Sequence, residues 1–91
     1  MKVKSPAEII KALRIEFTRV WEYEPTFEIL IEEIEYKIDQ INKRAQLLYR
    51  ECERITEPER KQLYTDLINE EGDKLGAYLN ALDLVKAGRY E

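Results

Sequence analysis

From Phe27 to Ile55, apolar residues recur at alternating steps of four and three: Phe27, Ile31, Ile34, Ile38, Ile41, Ala45, Leu48, Cys52 and Ile55. A spacing that averages 3.5 residues keeps all of these side chains on one side of an α-helix. A strand, whose side chains alternate with a period of two, does not produce it. Sustained over roughly four heptads, the pattern predicts a helix over 26–55, about 43 Å long. Its isoleucine-rich seam needs a partner along the whole length.

The partner follows almost at once. Thr56-Glu57-Pro58-Glu59 has the form of a helix start, with Thr56 as N-cap and Glu59 three residues on to close a capping box. Pro58 falls inside the first turn, where no N–H is required. Tyr64, Ile68, Glu71, Leu75, Tyr78, Leu82 and Val85 then mark a second seam, widened by Leu63, Leu67 and Leu79. The spacing predicts a helix over 57–87, stopped at Gly88. Gly72 and Gly76 lie inside it, and each costs about 1 kcal/mol against alanine. They suit a strip of small residues where another helix approaches. The apolar phase runs through them, which favours one helix; the alternative is a break at Gly72 with Asp73 capping a fourth helix. A turn this short folds the two rods back as an antiparallel αα-hairpin.

Ser5-Pro6-Ala7-Glu8 repeats the same start signal near the N-terminus. Ile9, Ile10, Leu13, Phe17, Val20 and Trp21 form one stripe, predicting a helix over 6–23 that Pro25 ends. At about 16 residues it has roughly half the length of either rod, so part of the hairpin's apolar stripe stays wet in a monomer. A two-fold homodimer that pairs two hairpins into a four-helix core, with the short helices outside, removes the mismatch. The expected fold is all-α: a short N-terminal helix plus a long antiparallel αα-hairpin, one helical domain over 1–91, completed by dimerisation.

Composition narrows the chemistry. The chain has no histidine, which excludes the ordinary Ser/His and Cys/His nucleophile pairs and the usual zinc sets. Its one cysteine, Cys52, cannot form an internal disulfide and sits in the seam as a small hydrophobe. No apolar stretch approaches the ~20 residues of a membrane span, and MKVKSPAEII lacks the apolar core of a signal peptide. A cytoplasmic, membrane-free protein is expected. Abundant Glu, Lys, Arg, Ile and Tyr with little Gln, Met or Cys is a bias of proteins that work at high temperature. Net charge is -4 with the signs mixed. Lys43, Arg44, Arg50, Arg54, Arg60 and Lys61 make a local basic cluster, but Glu51, Glu53, Glu57 and Glu59 are interleaved, so nucleic acid is not expected as a direct ligand.

Trp21 and Tyr23, in WEYEP, together with Phe27, fall where the first turn exposes one end of the bundle, and aromatic residues there suit interface anchors. The tyrosines, including Tyr36, Tyr49, Tyr64, Tyr78 and Tyr90, fall at or beside the stripes as an amphipathic rim. The preferred reading is a non-catalytic protein–protein interaction module, an adaptor or accessory subunit with a protein partner and no cofactor.

A second reading starts from acids. Glu32-Glu33-Ile34-Glu35 and Glu70-Glu71-Gly72-Asp73 give an E-x-x-E and an E-x-x-D on facing helices, the oxygen-rich spacing that magnesium favours. With Lys74-Leu75 and Tyr78-Leu79-Asn80-Ala81-Leu82 following, the pattern resembles the all-α nucleotide pyrophosphohydrolases of the MazG kind. The resemblance implies a magnesium-dependent nucleoside triphosphate pyrophosphohydrolase with Glu32, Glu35, Glu70 and Asp73 as metal ligands. The default role of such acids, in a chain with 19 of them, is a solvated helix face with partners such as Lys37 for Glu33. A short helix followed by a longer one is also similar to the helical domain of GINS replication proteins, which implies a nucleic-acid-associated replication accessory protein.

Overall fold

The computed structural model describes residues 4–88. They form α1 (Pro6–Trp21), α2 (Phe27–Arg54) and α3 (Pro58–Lys86), with no strand among the described residues. The long rod, the sharp turn and the short first helix are all present.

Each helix start shows what its local sequence can supply. Ser5 caps α1: its hydroxyl accepts from the Glu8 N–H at 3.3 Å and donates to the Glu8 carboxylate at 3.0 Å. Thr26 caps α2 by accepting from the Ile29 N–H at 3.3 Å. At α3 the cap is Glu57, not Thr56, and no side chain takes up the first N–H groups. Pro58 explains the shift. Its ring holds the preceding residue extended, and Glu57, at φ -75° and ψ 123°, therefore occupies the half-in position.

The first helix ends at Trp21, two residues before the expected boundary. Glu22 adopts φ 61°, the left-handed region, while its N–H still reaches the Thr18 carbonyl at 2.8 Å. That conformation stops the helix at a cost of about 1–2 kcal/mol for a residue with a Cβ. Gly88, at φ 73°, ends the last helix at no such cost. Between Pro58 and Lys86 the helix is continuous through Gly72 and Gly76.

The hairpin seam joins Ile34, Ile41 and Cys52 of α2 to Leu82 and Val85 of α3, with Ile38, Ala45, Leu48, Ile68 and Leu75 half-buried along it. Across one half of this seam lies α1, packed chiefly on α3 and more lightly on α2. Ile9, Ile10 and Leu13 meet Leu30, Ile34, Ala81, Leu82 and Val85 there, and this is the hydrophobic core. Complete burial of Ile10, Leu30, Ile34 and Val85 contributes about 1.5–3 kcal/mol each.

Toward the α2–α3 turn there is no third helix. Leu63 and Leu67, expected to widen the core, are exposed, as are Leu47 and, on the flank away from α1, Leu79. Val20 and Trp21 also project out of the core, because only the first half of α1 is inserted. The result is a rod of 50 × 22 × 19 Å. Its radius of gyration is 15.7 Å, against about 12 Å for a compact chain of this length.

Candidate functional site

The aromatic corner is built by α1 and the short connection after it. Phe17 is half-buried, and its ring lies 5.4 Å edge-on from Tyr23 and 6.1 Å from Trp21. The left-handed Glu22 reverses the chain and brings Tyr23 back against that ring. Arg14 fixes the return through an ion pair with Glu24 at 3.5 Å. Trp21 and Tyr23 nevertheless remain 59% and 53% exposed. Phe27 is 38% exposed and opens α2; its ring lies next to Gly88 at the end of α3. Beside Trp21 runs a shallow groove of about 130 Å³, floored by Leu13, Phe17 and Val20 and lipped by Glu33 and Lys37 of α2. Of the predicted partner-binding residues, then, Trp21 and Tyr23 share one ring cluster, organised by Phe17, and Phe27 stands at the neighbouring helix ends.

The acids are distributed differently. Glu32 and Glu35 of α2 and Asp73 of α3 are exposed, and Glu70 is half-buried. Among the described residues no three Asp, Glu or Cys side chains gather into a set able to hold a metal ion. The buried acid is the one between the proposed ligands: Glu71, 6% exposed, in the hairpin seam. Its Oε1 accepts from Arg44 and from Lys74, each at 3.4 Å, while Oε2 is buried with no hydrogen-bond partner among the described residues. Glu71 had marked the seam in sequence as a stray acid among apolar residues; Arg44, three positions after Ile41, is the signal for its partner.

Three members of the basic cluster are held in ion pairs, one of them across the hairpin. Lys43 binds Asp39 at 3.0 Å, Arg44 binds Glu71, and Arg54 reaches Glu51 at 4.0 Å. Among the described residues Glu33 and Lys37 do not form an ion pair; both lie beside α1, and an i,i+4 pair forms instead between Asp39 and Lys43. Cys52 is buried, its Sγ 4.0 Å from the Lys61 carbonyl oxygen. No helix among the described residues is long and apolar enough to cross a membrane.

Compared with protein-family models, with curated proteins and with solved structures, the chain matches none. The likeness to the MazG kind and to the GINS helical domain thus rests on the quoted residues alone.

Proposed function

We propose that this chain is a non-catalytic, cytoplasmic protein–protein interaction module, an adaptor or accessory subunit that docks to another protein through its aromatic corner. One observation supports the reading above others: Trp21 and Tyr23 are more than half exposed, yet both are held against Phe17. Large rings presented to water in a fixed arrangement lose little rotamer freedom on docking, which is why Trp and Tyr dominate interface hot spots. The groove beside Trp21, apolar at its floor and charged at its lip, suits an apolar side chain flanked by polar ones. Neither cofactor nor substrate turnover enters the mechanism.

The test is affinity capture from the native host with wild-type bait and with a Trp21→Ala, Tyr23→Ala bait. The reading expects a protein retained by the first and lost by the second, with each ring worth at least about 2 kcal/mol, or roughly thirtyfold in affinity. Identical capture by both baits refutes this surface.

A further inference from the structure

Where α1 no longer covers it, one flank of the hairpin opens into a cavity of about 370 Å³. Lys37, Gln40 and Arg44 reach it from α2, and Lys74 from α3. Spaced i, i+3 and i+7, the first three share one face of α2. A tyrosine from each helix stands beside them: Tyr36, 57% exposed, and Tyr78, half-buried against the core. Lys37 is also half-buried, and only 33% of the Lys74 side chain is accessible.

We propose that this cavity binds a small phosphate monoester carrying a planar ring, the phosphate taken by Lys37, Arg44 and Lys74 and the ring by Tyr36 and Tyr78. Charge favours it first. Three cations face one carboxylate, Glu71, so the cluster keeps a positive excess that a phosphate monoester, at about -1.5 to -2 near neutral pH, balances. Glu33 and Glu70 stand one turn before Lys37 and Lys74, but among the described residues neither lines the cavity nor pairs with its cations.

Glu71 supplies a second observation. At its buried position in the seam, an apolar residue of similar size is the more stable occupant. What the acid does is hold cations: its Oε1 accepts from Arg44 across the hairpin and from Lys74 on its own helix, each at 3.4 Å. Two like charges that repel each other are thereby drawn to one point. Each engages Glu71 through a single nitrogen, which leaves donors on both for a ligand and lowers the cost of ordering them when it binds. A residue that sacrifices stability while organising a charged cluster is what a functional site requires.

Size and surroundings select a small ligand with a ring. The cavity falls in the range of small-molecule sites, about 300–1,000 Å³, and a phosphate group alone leaves most of it empty. Tyr36 and Tyr78 offer apolar ring surface with a polar tip, and the Gln40 amide both donates and accepts. An extended polyanion finds no track to follow. Along the same face of α2 the stripe runs Glu33, Lys37, Gln40, Arg44, Leu47 and Glu51, so an acid closes it at either end.

Phenyl phosphate, inorganic phosphate and phenol, each titrated into the isotope-labelled chain and followed by amide and tyrosine ring chemical shifts, test the proposal. Phenyl phosphate should shift residues 36–44 and 74–78 and bind at least about tenfold more tightly than inorganic phosphate, while phenol alone should not bind. Lys37→Ala, with helicity unchanged by circular dichroism, should weaken phenyl phosphate by roughly tenfold. Lys61→Ala, an equal loss of charge near the turn between α2 and α3, should change it by less than about twofold. No shift at up to about 10 mM phenyl phosphate in low salt overturns the proposal, whatever phosphopeptide or RNA the chain then binds. So does a Lys37→Ala chain that binds as tightly as wild type, an equal loss in Lys37→Ala and Lys61→Ala, or inorganic phosphate as tight as phenyl phosphate. Trp21 and Tyr23 line no part of the cavity, and the Trp21→Ala, Tyr23→Ala chain should bind phenyl phosphate unchanged. The aromatic corner and this site can thus each fail without the other.

Discussion

Glu71→Leu is expected to stabilise the folded chain, although it removes both cross-links that the carboxylate makes. Glu71 is 6% exposed, and its two cations stay partly in water, Arg44 with 60% and Lys74 with 33% of the side chain accessible. Hydrated partners at 3.4 Å return about 1 kcal/mol each at most. Against this stand the orphaned Oε2, a burden of about 1–3 kcal/mol, and the about 1.5–3 kcal/mol that a buried leucine contributes. The net gain is about 0.5–4 kcal/mol, in line with other buried ion pairs replaced by apolar residues of similar size. Arg44→Ala should move stability the other way by about 1 kcal/mol, because the carboxylate stays buried with one partner fewer. Urea denaturation by far-ultraviolet circular dichroism, at one fixed protein concentration, measures both. In thermal melts each kcal/mol corresponds to about 4–8 °C for a chain of this size. A Glu71→Leu variant destabilised by more than about 1 kcal/mol refutes the reasoning and makes the ion-pair network a net contributor.

Further expectations concern the caps and the chemistry. Ser5→Ala should lower stability by about 0.5–2 kcal/mol in the same urea assay, since it removes the acceptor for the Glu8 N–H. Glu57→Asp should raise it by about 0.5–1 kcal/mol by giving α3 the side-chain cap it lacks; an unchanged midpoint shows those N–H groups to be satisfied already by water. Glu22→Gly should add about 1 kcal/mol by relieving a left-handed residue at φ 61°. Incubated with magnesium and nucleoside triphosphates, the folded chain should release no pyrophosphate above a protein-free blank; steady release restores the metal-dependent reading of Glu32, Glu35, Glu70 and Asp73.

Much of the architecture was legible because heptad spacing and proline placement are local signals. The seam from Ile31 to Ile55 and the unbroken passage of α3 through Gly72 need nothing but periodicity. Leu30 and Ala81 were missed as core residues for a related reason. They flank the seam rather than lie on it, and only the seat of a third helix buries them. Leu63 and Leu67 fit the same periodicity yet stay exposed, since periodicity does not say which half of the hairpin α1 covers. The cap at Glu57 turned on competition between Thr56, a better cap by side chain, and Pro58, which fixes the backbone before it.

At the candidate site the sequence identified exposed aromatics but not what holds them. Phe17 had the look of an ordinary stripe residue, and its ring contacts depend on Glu22 turning left-handed, a conformation rarely signalled by glutamate. The acids illustrate the opposite difficulty. Spacings of i and i+3 on two helices say nothing of rotation about the helix axes, and that rotation turned Glu71 inward while leaving Glu32, Glu35 and Asp73 in solvent.

The account depends most on a hairpin clad by α1 over one half and bare over the other. Residue-resolved amide hydrogen exchange on dilute protein reads this directly. Protection should be greatest in residues 30–38 and 77–85, where α1 seals the core, and should fall steadily toward the turn between α2 and α3. Uniform protection along both rods, or the slowest exchange beside the turn, contradicts it.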